Sequence, residues 1–395
     1  MNRLIKFLLL AFFLSSAVTA CRVGGESGES EAPLLSNAGP QSLSAGPATA
    51  AFIDEVSILR AWGANESYQL CDGTDYPSDV PVVIDPPDKH MWMAVSVGGY
   101  HMIAIARNEQ AEWSLWGWGY NGDGQLGLGG TTPDYVKQPA QTGKLQTGMD
   151  KGWKSVSAGE YHSTALKNDG KLYTWGYNDH CQLGYYTTPY YNPTLAQVGT
   201  ENGWSYVSAG YQHTLAIRNT DLYAWGRNLE GQCGNGSEGA DVCTPEYISS
   251  GWKQVSAGYL HSAGVKIGGT LWVWGEHDTA PVQIGTDDDW EMVDVGGGNN
   301  EHFLALKTDG SLWAWGAGGM GQLGNGIPPS IYYKEPLPIE IEPGTIWHDV
   351  SAGDSYSLSL WGTSIYNDLL YSWGSGALGL GNIYPAYVPT EVNMH

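Results

Sequence analysis

The sequence predicts an all-β protein built from seven like units closed into a ring. Three observations predict it. The dipeptide Trp-Gly recurs at Trp62, Trp118, Trp175, Trp225, Trp274, Trp315 and Trp373, at spacings of 41 to 58 residues. A V-S-A-G-like tetrapeptide alternates with it. The 55 Gly, 24 Tyr and 18 Trp, against 15% charged residues, favour short strands and tight turns over helices. Repeats of this period mark stacked units rather than two or three separate domains.

The elements follow in order. The tetrapeptides begin at Leu43 (a divergent copy), Val95, Val156, Val207, Val255, Val293 and Val350. A second Trp opens six of these segments, three residues before the valine: Trp92, Trp153, Trp204, Trp252, Trp290 and Trp347. Thirteen of the 18 Trp therefore hold repeat positions and are read as core. Apolar runs such as His162–Leu166 and Leu172–Trp175 flank Asn168-Asp169-Gly170, and Asp309-Gly310 and Gly268-Gly269 stand at the same place in other repeats. These are hairpins, with Asp-Gly supplying the positive φ of a tight turn. A unit of about 50 residues with four strands cannot bury both faces alone, so units must stack, and a ring leaves none uncovered. The class is all-β, a seven-bladed β-propeller closed by pairing of N- and C-terminal segments. The tail around Tyr387–Val392 is expected to complete the blade begun by residues 42–63.

Residues 1–20 read as a signal peptide: Arg3 and Lys6 precede an apolar run, Phe7–Leu14, and small residues follow. Val18-Thr19-Ala20-Cys21 resembles the lipobox of bacterial lipoproteins, which implies acylation of Cys21 and a mature chain starting there. Arg22 follows in place of the Asp that retains such proteins at the inner membrane, so the resemblance implies the outer membrane or cell surface. Residues 21–41, rich in Gly, Ser and Glu, read as a flexible tether, and residues 42–395 as the propeller.

With 18 Lys+Arg against 41 Asp+Glu, the net charge of −23 excludes a nucleic-acid partner, which needs clustered cations. No catalytic, metal or cofactor signature survives scrutiny. Gly117–Gly122 spells G-x-G-x-x-G but lies inside a repeat ending, not a βαβ unit. His101, His162, His213 and His261 recur three residues after the V-S-A-G glycine, with His302 shifted by an insertion. One per blade around a ring, they read as neutral core histidines bonded to backbone rather than a metal cage. Asp287–Asp289 and the cluster Asp72, Asp75, Asp79 read as solvated turn carboxylates. Of the thiols beyond Cys21, Cys233 and Cys243 flank a Gly/Ser/Asp loop and form the best local disulfide pair. Cys71 and Cys181 are as compatible with free thiols as with a bridge.

The pattern V-S-A-G-x-x-H-T-x-A-L-x-x-D-G-x-L-Y-x-W-G-x-N-x-x-G-Q-L-G resembles the regulator of chromosome condensation repeat. It ends clearly at Trp118–Gly127 and at Gly321-Gln322-Leu323-Gly324 and covers about residues 42–392. The resemblance implies seven blades. It also implies protein-partner roles: its namesake exchanges nucleotide on a small GTPase and sits on chromatin, and a secreted member inhibits β-lactamases. The acidic charge and the export signal contradict the chromatin role. Tyr185, Tyr186, Tyr190, Tyr191, Tyr332 and Tyr333, in variable stretches between blades, are the candidate partner-binding residues, because Tyr offers rigid amphipathic contact area. The expected function is a monomeric, non-enzymatic binding module without cofactor, anchored in the bacterial cell envelope and recognising a protein. A carbohydrate-binding or -processing protein and a structural envelope protein are the alternatives.

Overall fold

The computed structural model describes residues 42–144, 151–298, 301–327, 334–362, 369–382 and 384–394. The chain divides into units Met1–Ser36 and Asn37–His395, and every described residue belongs to the second. Residues 1–20 and 21–41, read above as a signal peptide and a tether, and Cys21 therefore lie outside the described residues, as do Tyr332 and Tyr333.

Among the described residues, 28 strands form seven four-stranded antiparallel sheets, and there is no helix. The blades span residues 43–84, 90–141, 153–197, 204–250, 252–283, 290–341 and 347–391. Within each, strands pair in chain order, from the V-S-A-G strand lining a central channel out to the rim. All six opening Trp are buried, and the ladder slips by a residue beside each, as between Trp204 and Tyr206. Such a bulge adds twist where the blade meets its neighbour. Each buried indole removes roughly 150–250 Å² from water, on the order of 4–6 kcal/mol before entropy is charged.

The glycine of Trp-Gly is obligatory. All seven, from Gly63 to Gly374, have φ between 95 and 105°, and a Cβ on any of them would come under 3.0 Å from its surroundings. The hairpin turns differ from the sequence reading in one respect. In Asn168-Asp169-Gly170 only the glycine has positive φ (77°), and Lys167 N–H bonds Lys171 O at 3.0 Å, giving a three-residue loop. Asp169 needs no left-handed conformation there, because a type I turn followed by one left-handed residue closes the hairpin.

Closure also differs. The strand Ala386–Glu391 pairs with Leu369–Gly374 in its own blade, and Leu43–Ala45 pairs with Thr49–Ile53. Among the described residues no strand is shared between blades. The seventh and first blades instead meet as the others do. Val392 packs in one cluster with Leu43, Phe52 and Trp62. Gly381 N–H bonds Asp79 O at 2.7 Å, matching Gly129 to Pro193 and Gly236 to Thr279 at earlier joints. The sequence mimicry between tail and blade edges was real, but it marks a fourth strand present in every blade.

Candidate protein-binding face

The repeat signature is a description of the joints. The serine of each V-S-A-G accepts a hydrogen bond from the inner strand of the next blade. Val97 N–H reaches Ser44 Oγ at 3.0 Å, Ala158 reaches Ser96 at 3.0 Å, Ala209 reaches Ser157 at 2.9 Å and Ala257 reaches Ser208 at 3.0 Å. Val295 reaches Ser256 at 3.2 Å, Ala352 reaches Asp294 Oδ2 at 2.8 Å, and Ala45 reaches Ser351 at 2.9 Å, closing the circuit. Asp294 stands where the others carry Ser; burial raises its pKa, opposed by its hydrogen bonds with Ser256 and the backbone.

Behind this circuit runs a second one. His101, His162, His213 and His302 present Nε2 to the hydroxyls of Ser163, Thr214, Ser262 and Ser357, at 2.7–3.0 Å. Each hydroxyl donates onward to the carbonyl of Gln125, Gln182, Gln232 or Gln322, which also accepts the next blade's Trp Nε1–H. Because the hydroxyl proton is committed to the carbonyl, Nε2 must be the donor, which fixes the neutral tautomer. The partner is a side chain of the next blade, not backbone as the sequence reading expected. Burial pushes His101, His162 and His213 down to about pKa 3. The V-S-A-G glycine makes room for the ring: a Cβ on Gly98 would meet His101 Cε1 at 2.6 Å.

His261 departs from this set. Its ring pairs with Glu301 Oε2 at 2.6 Å, and the other oxygen of Glu301 accepts the N–H groups of Tyr259, Leu260 and His261. The position of Ser262 is held in the next blade by Phe303, which stacks on Trp315 at 4.9 Å. Two residues, Glu276 and His277, replace the long loop with its Gln carbonyl. Both signals were available in the sequence, as Phe303 and the 41-residue spacing.

The turns after V-S-A-G and the long loops after Trp-Gly emerge on one face of the ring, and the short hairpin turns emerge on the other. The loop face carries the tyrosines. Tyr186 and Tyr190 stand 79% and 67% exposed, on either side of Pro189. Tyr185 is half-buried, its hydroxyl donating to Thr174 O and accepting from Asn192, and Tyr191 pairs with Tyr177 in the ladder. The structure thus separates the four: two are free for contact and two are structural. Sequence reading missed a second aromatic group nearer the axis. Tyr100 stacks on Tyr161 at 5.3 Å, Tyr161 meets Tyr120 and Tyr177 edge-on, and Tyr211 meets Tyr259 at 4.3 Å. Its only sequence signal was a Tyr between the V-S-A-G glycine and the histidine in four repeats.

These loops and turns contain thirteen Asp and Glu but a single Lys or Arg, Arg227, which pairs with Glu230 at 2.7 Å. The channel below encloses about 220 Å³, and Glu160, Asp294 and Asp349 line it with no Lys or Arg. Burial, then repulsion from Asp354, raises Glu160 to about pKa 7. On the opposite face Lys167, Arg218, Lys266 and Lys307 end the second strands of blades three to six, and Arg107 is the last residue but one of that strand in blade two. Four of them lie over core Trp rings. Asp287 and Asp289 are held by Lys307 at 2.6 and 2.9 Å, and Asp72 caps its own loop through Thr74 and Asn65.

The cysteines also correct the sequence reading. Cys243 is joined to Cys181, across blades three and four, with Cα atoms 4.7 Å apart. Cys233 is free and wholly buried. It fills the leucine position of Gly-Gln-Leu-Gly, the place of Leu126 and Leu183, and so faces the core instead of the loop. Burial raises the pKa of both free thiols, Cys71 and Cys233.

Ring, joints and loop face define a repeat-type β-propeller, a fold of protein-interaction modules. The chain belongs to the regulator of chromosome condensation (RCC1) repeat family, whose repeat matches residues 61–105, 114–166, 169–217, 220–265 and 309–360. It is 28% identical over 263 residues to the ultraviolet-B receptor UVR8 of Arabidopsis thaliana, covering 64% of this chain and 58% of that protein. It is 27% identical over 340 residues to the mitochondrial RCC1 domain-containing protein RUG3 of the same plant, covering 73% and 72%. Solved structures share the fold. Human WBSCR16 matches with TM-score 0.72 at 20% identity, over 85% of this chain and 94% of that one. Yeast RCC1 (Prp20), solved with Kap60, matches with TM-score 0.71 at 22% identity, over 95% and 91%.

Proposed function

We propose that this chain is an exported, lipid-anchored, non-enzymatic propeller that binds a protein partner through its inter-blade loops. The observation that carries the reading is the loop face: exposed Tyr186 and Tyr190 stand on loops pinned at their bases by Asn178 and by the Cys181–Cys243 bridge. Rigid aromatics pay little entropy on contact and anchor interfaces. The fold relative yeast RCC1 was solved bound to Kap60, a precedent for a protein of this fold having a protein partner. A disulfide between long-separated loops supports export, since such bonds persist in oxidising compartments. On this reading Cys21 carries the anchor, residues 22–41 are the tether, and the protein is a monomer at the outer membrane or cell surface of a bacterial envelope.

The test is capture from envelope extract with the tagged full chain, compared with a Tyr186→Ala/Tyr190→Ala variant. One stoichiometric protein retained by the native chain and lost by the variant supports the reading. Enrichment of glycan alone, or equal capture by both chains, overturns it. Cys21→Ser should move the protein to the soluble fraction, and continued sedimentation with membranes would remove the anchor from the proposal.

A further inference from the structure

We propose that the loop-face mouth of the central channel receives a basic segment of the protein partner. An Arg or Lys side chain would enter between the Tyr100–Tyr161 and Tyr211–Tyr259 pairs toward Glu160. This rests on the partner-binding reading above and specifies the partner's chemistry.

Two independent features converge there. The first is aromatic. The two pairs come from adjacent blades, two with three and four with five, and Tyr100 is 41% exposed. Tyr211 lines the channel together with Glu160, and Tyr259, Tyr100 and Tyr161 stand on the equivalent turns of the same face; phenol rings beside an opening offer π-faces to a cation, and a planar guanidinium stacks on them best. The second is charge. Glu160 follows Gly159 directly and lines the channel, and among the described residues it has no ion-pair partner. Its carboxyl lies against Gly99, where a Cβ would meet it at 2.6 Å, so the mouth is shaped around this side chain. Below it, Asp294 and Asp349 line the channel without any Lys or Arg. Carboxylates along a low-dielectric cleft focus a negative potential at its opening. A bare metal ion does not fit, because no three ligating side chains converge among the described residues. An organic cation needs no such shell: the rings supply its walls and Glu160 its counter-charge.

The experiment is isothermal titration of the full chain in detergent at about pH 8.5, above the raised titration of Glu160, with a capped Gly-Gly-Arg-Arg-Gly-Gly peptide at low salt. Glu160→Gln/Asp354→Asn should weaken binding about tenfold or more, as loss of desolvated charge does, and Tyr100→Ala about threefold. Asp287→Asn/Asp288→Asn removes the same charge from the opposite face and should change affinity less than about twofold. No measurable binding by the native chain, or equal weakening by the two double variants, would overturn the proposal. In the capture assay, a partner lost on Tyr186→Ala/Tyr190→Ala but kept by Glu160→Gln/Asp354→Asn would sink the cationic mouth and leave the partner-binding reading intact.

Discussion

Four joints between blades repeat one hydrogen-bonded chain, His to hydroxyl to Gln carbonyl, while the joint between blades five and six has none of it. There Phe303 replaces the hydroxyl, the Gln-bearing loop is gone, and Glu301, brought in by an insertion after Gly296, takes up His261 and three backbone N–H groups. The difference teaches that the repeat residues act as a set. When the hydroxyl is lost, two carboxylates hold the histidine instead: Glu301 of the neighbouring blade at Nδ1, 2.6 Å away, and Glu276 of its own blade at Nε2, 3.3 Å away.

Acid should weaken the regular joints most strongly. Unfolded histidine binds a proton below about pH 6.5, whereas His101, His162 and His213 do so in the fold only near pH 3. The unfolded state thus binds more protons in that window, and stability is lost as pH falls through it. The loss is up to about 1.4 kcal/mol per pH unit for each histidine. Urea midpoints measured from pH 7 to 4 should show this slope, and His162→Ala should reduce it; a slope unchanged by that variant would contradict the neutral-histidine account.

The covalent clamp comes next. Cys181 and Cys243 lie 62 positions apart in sequence, across a joint that already has the hydrogen-bonded chain. Cys243→Ser should cost about 4 kcal/mol of unfolding free energy in oxidising buffer by the loop-entropy relation. Added reductant should bring the native protein down to the variant, and a difference persisting in reductant would show that the loss is not the bridge.

Phe303→Ser then asks whether the residue type alone can restore the regular pattern. It should not: no Gln carbonyl awaits the hydroxyl, and the stack on Trp315 is lost, for about 3 kcal/mol of destabilisation. A neutral or stabilising outcome would mean that the neighbouring loops matter less than the comparison holds. Asp294→Ser, which restores the usual residue to the inner circuit, should shift stability by less than about 1 kcal/mol. It trades charge-assisted bonds for relief of a buried carboxylate. A loss of several kcal/mol on thermal or urea melting would show Asp294 to be needed as a carboxylate.

The number of blades and their four strands were legible because Trp-Gly and V-S-A-G each answer a local demand, a positive φ at Gly176 or a carbonyl within reach of Trp175. The closure was not, since the tail around Tyr387 resembles every outer strand and the sequence alone does not tell which sheet edge it joins. The disulfide was misjudged for a related reason. Proximity in sequence favoured Cys233, but the repeat register sends that side chain into the core and brings Cys181 from the previous blade. Tyr186 and Tyr190 were visible as loop aromatics, whereas the collar formed by Tyr100, Tyr161, Tyr211 and Tyr259 required the ring to bring four distant turns together.

Because every sheet is drawn from one uninterrupted stretch of chain, a whole blade is a unit that duplication or deletion can add or remove without stranding half a sheet. New ends cut at Gly251, the one residue linking blades four and five, would leave seven intact sheets and the same set of joints. The tolerance of such a molecule to rearrangement should follow the boundaries between complete blades.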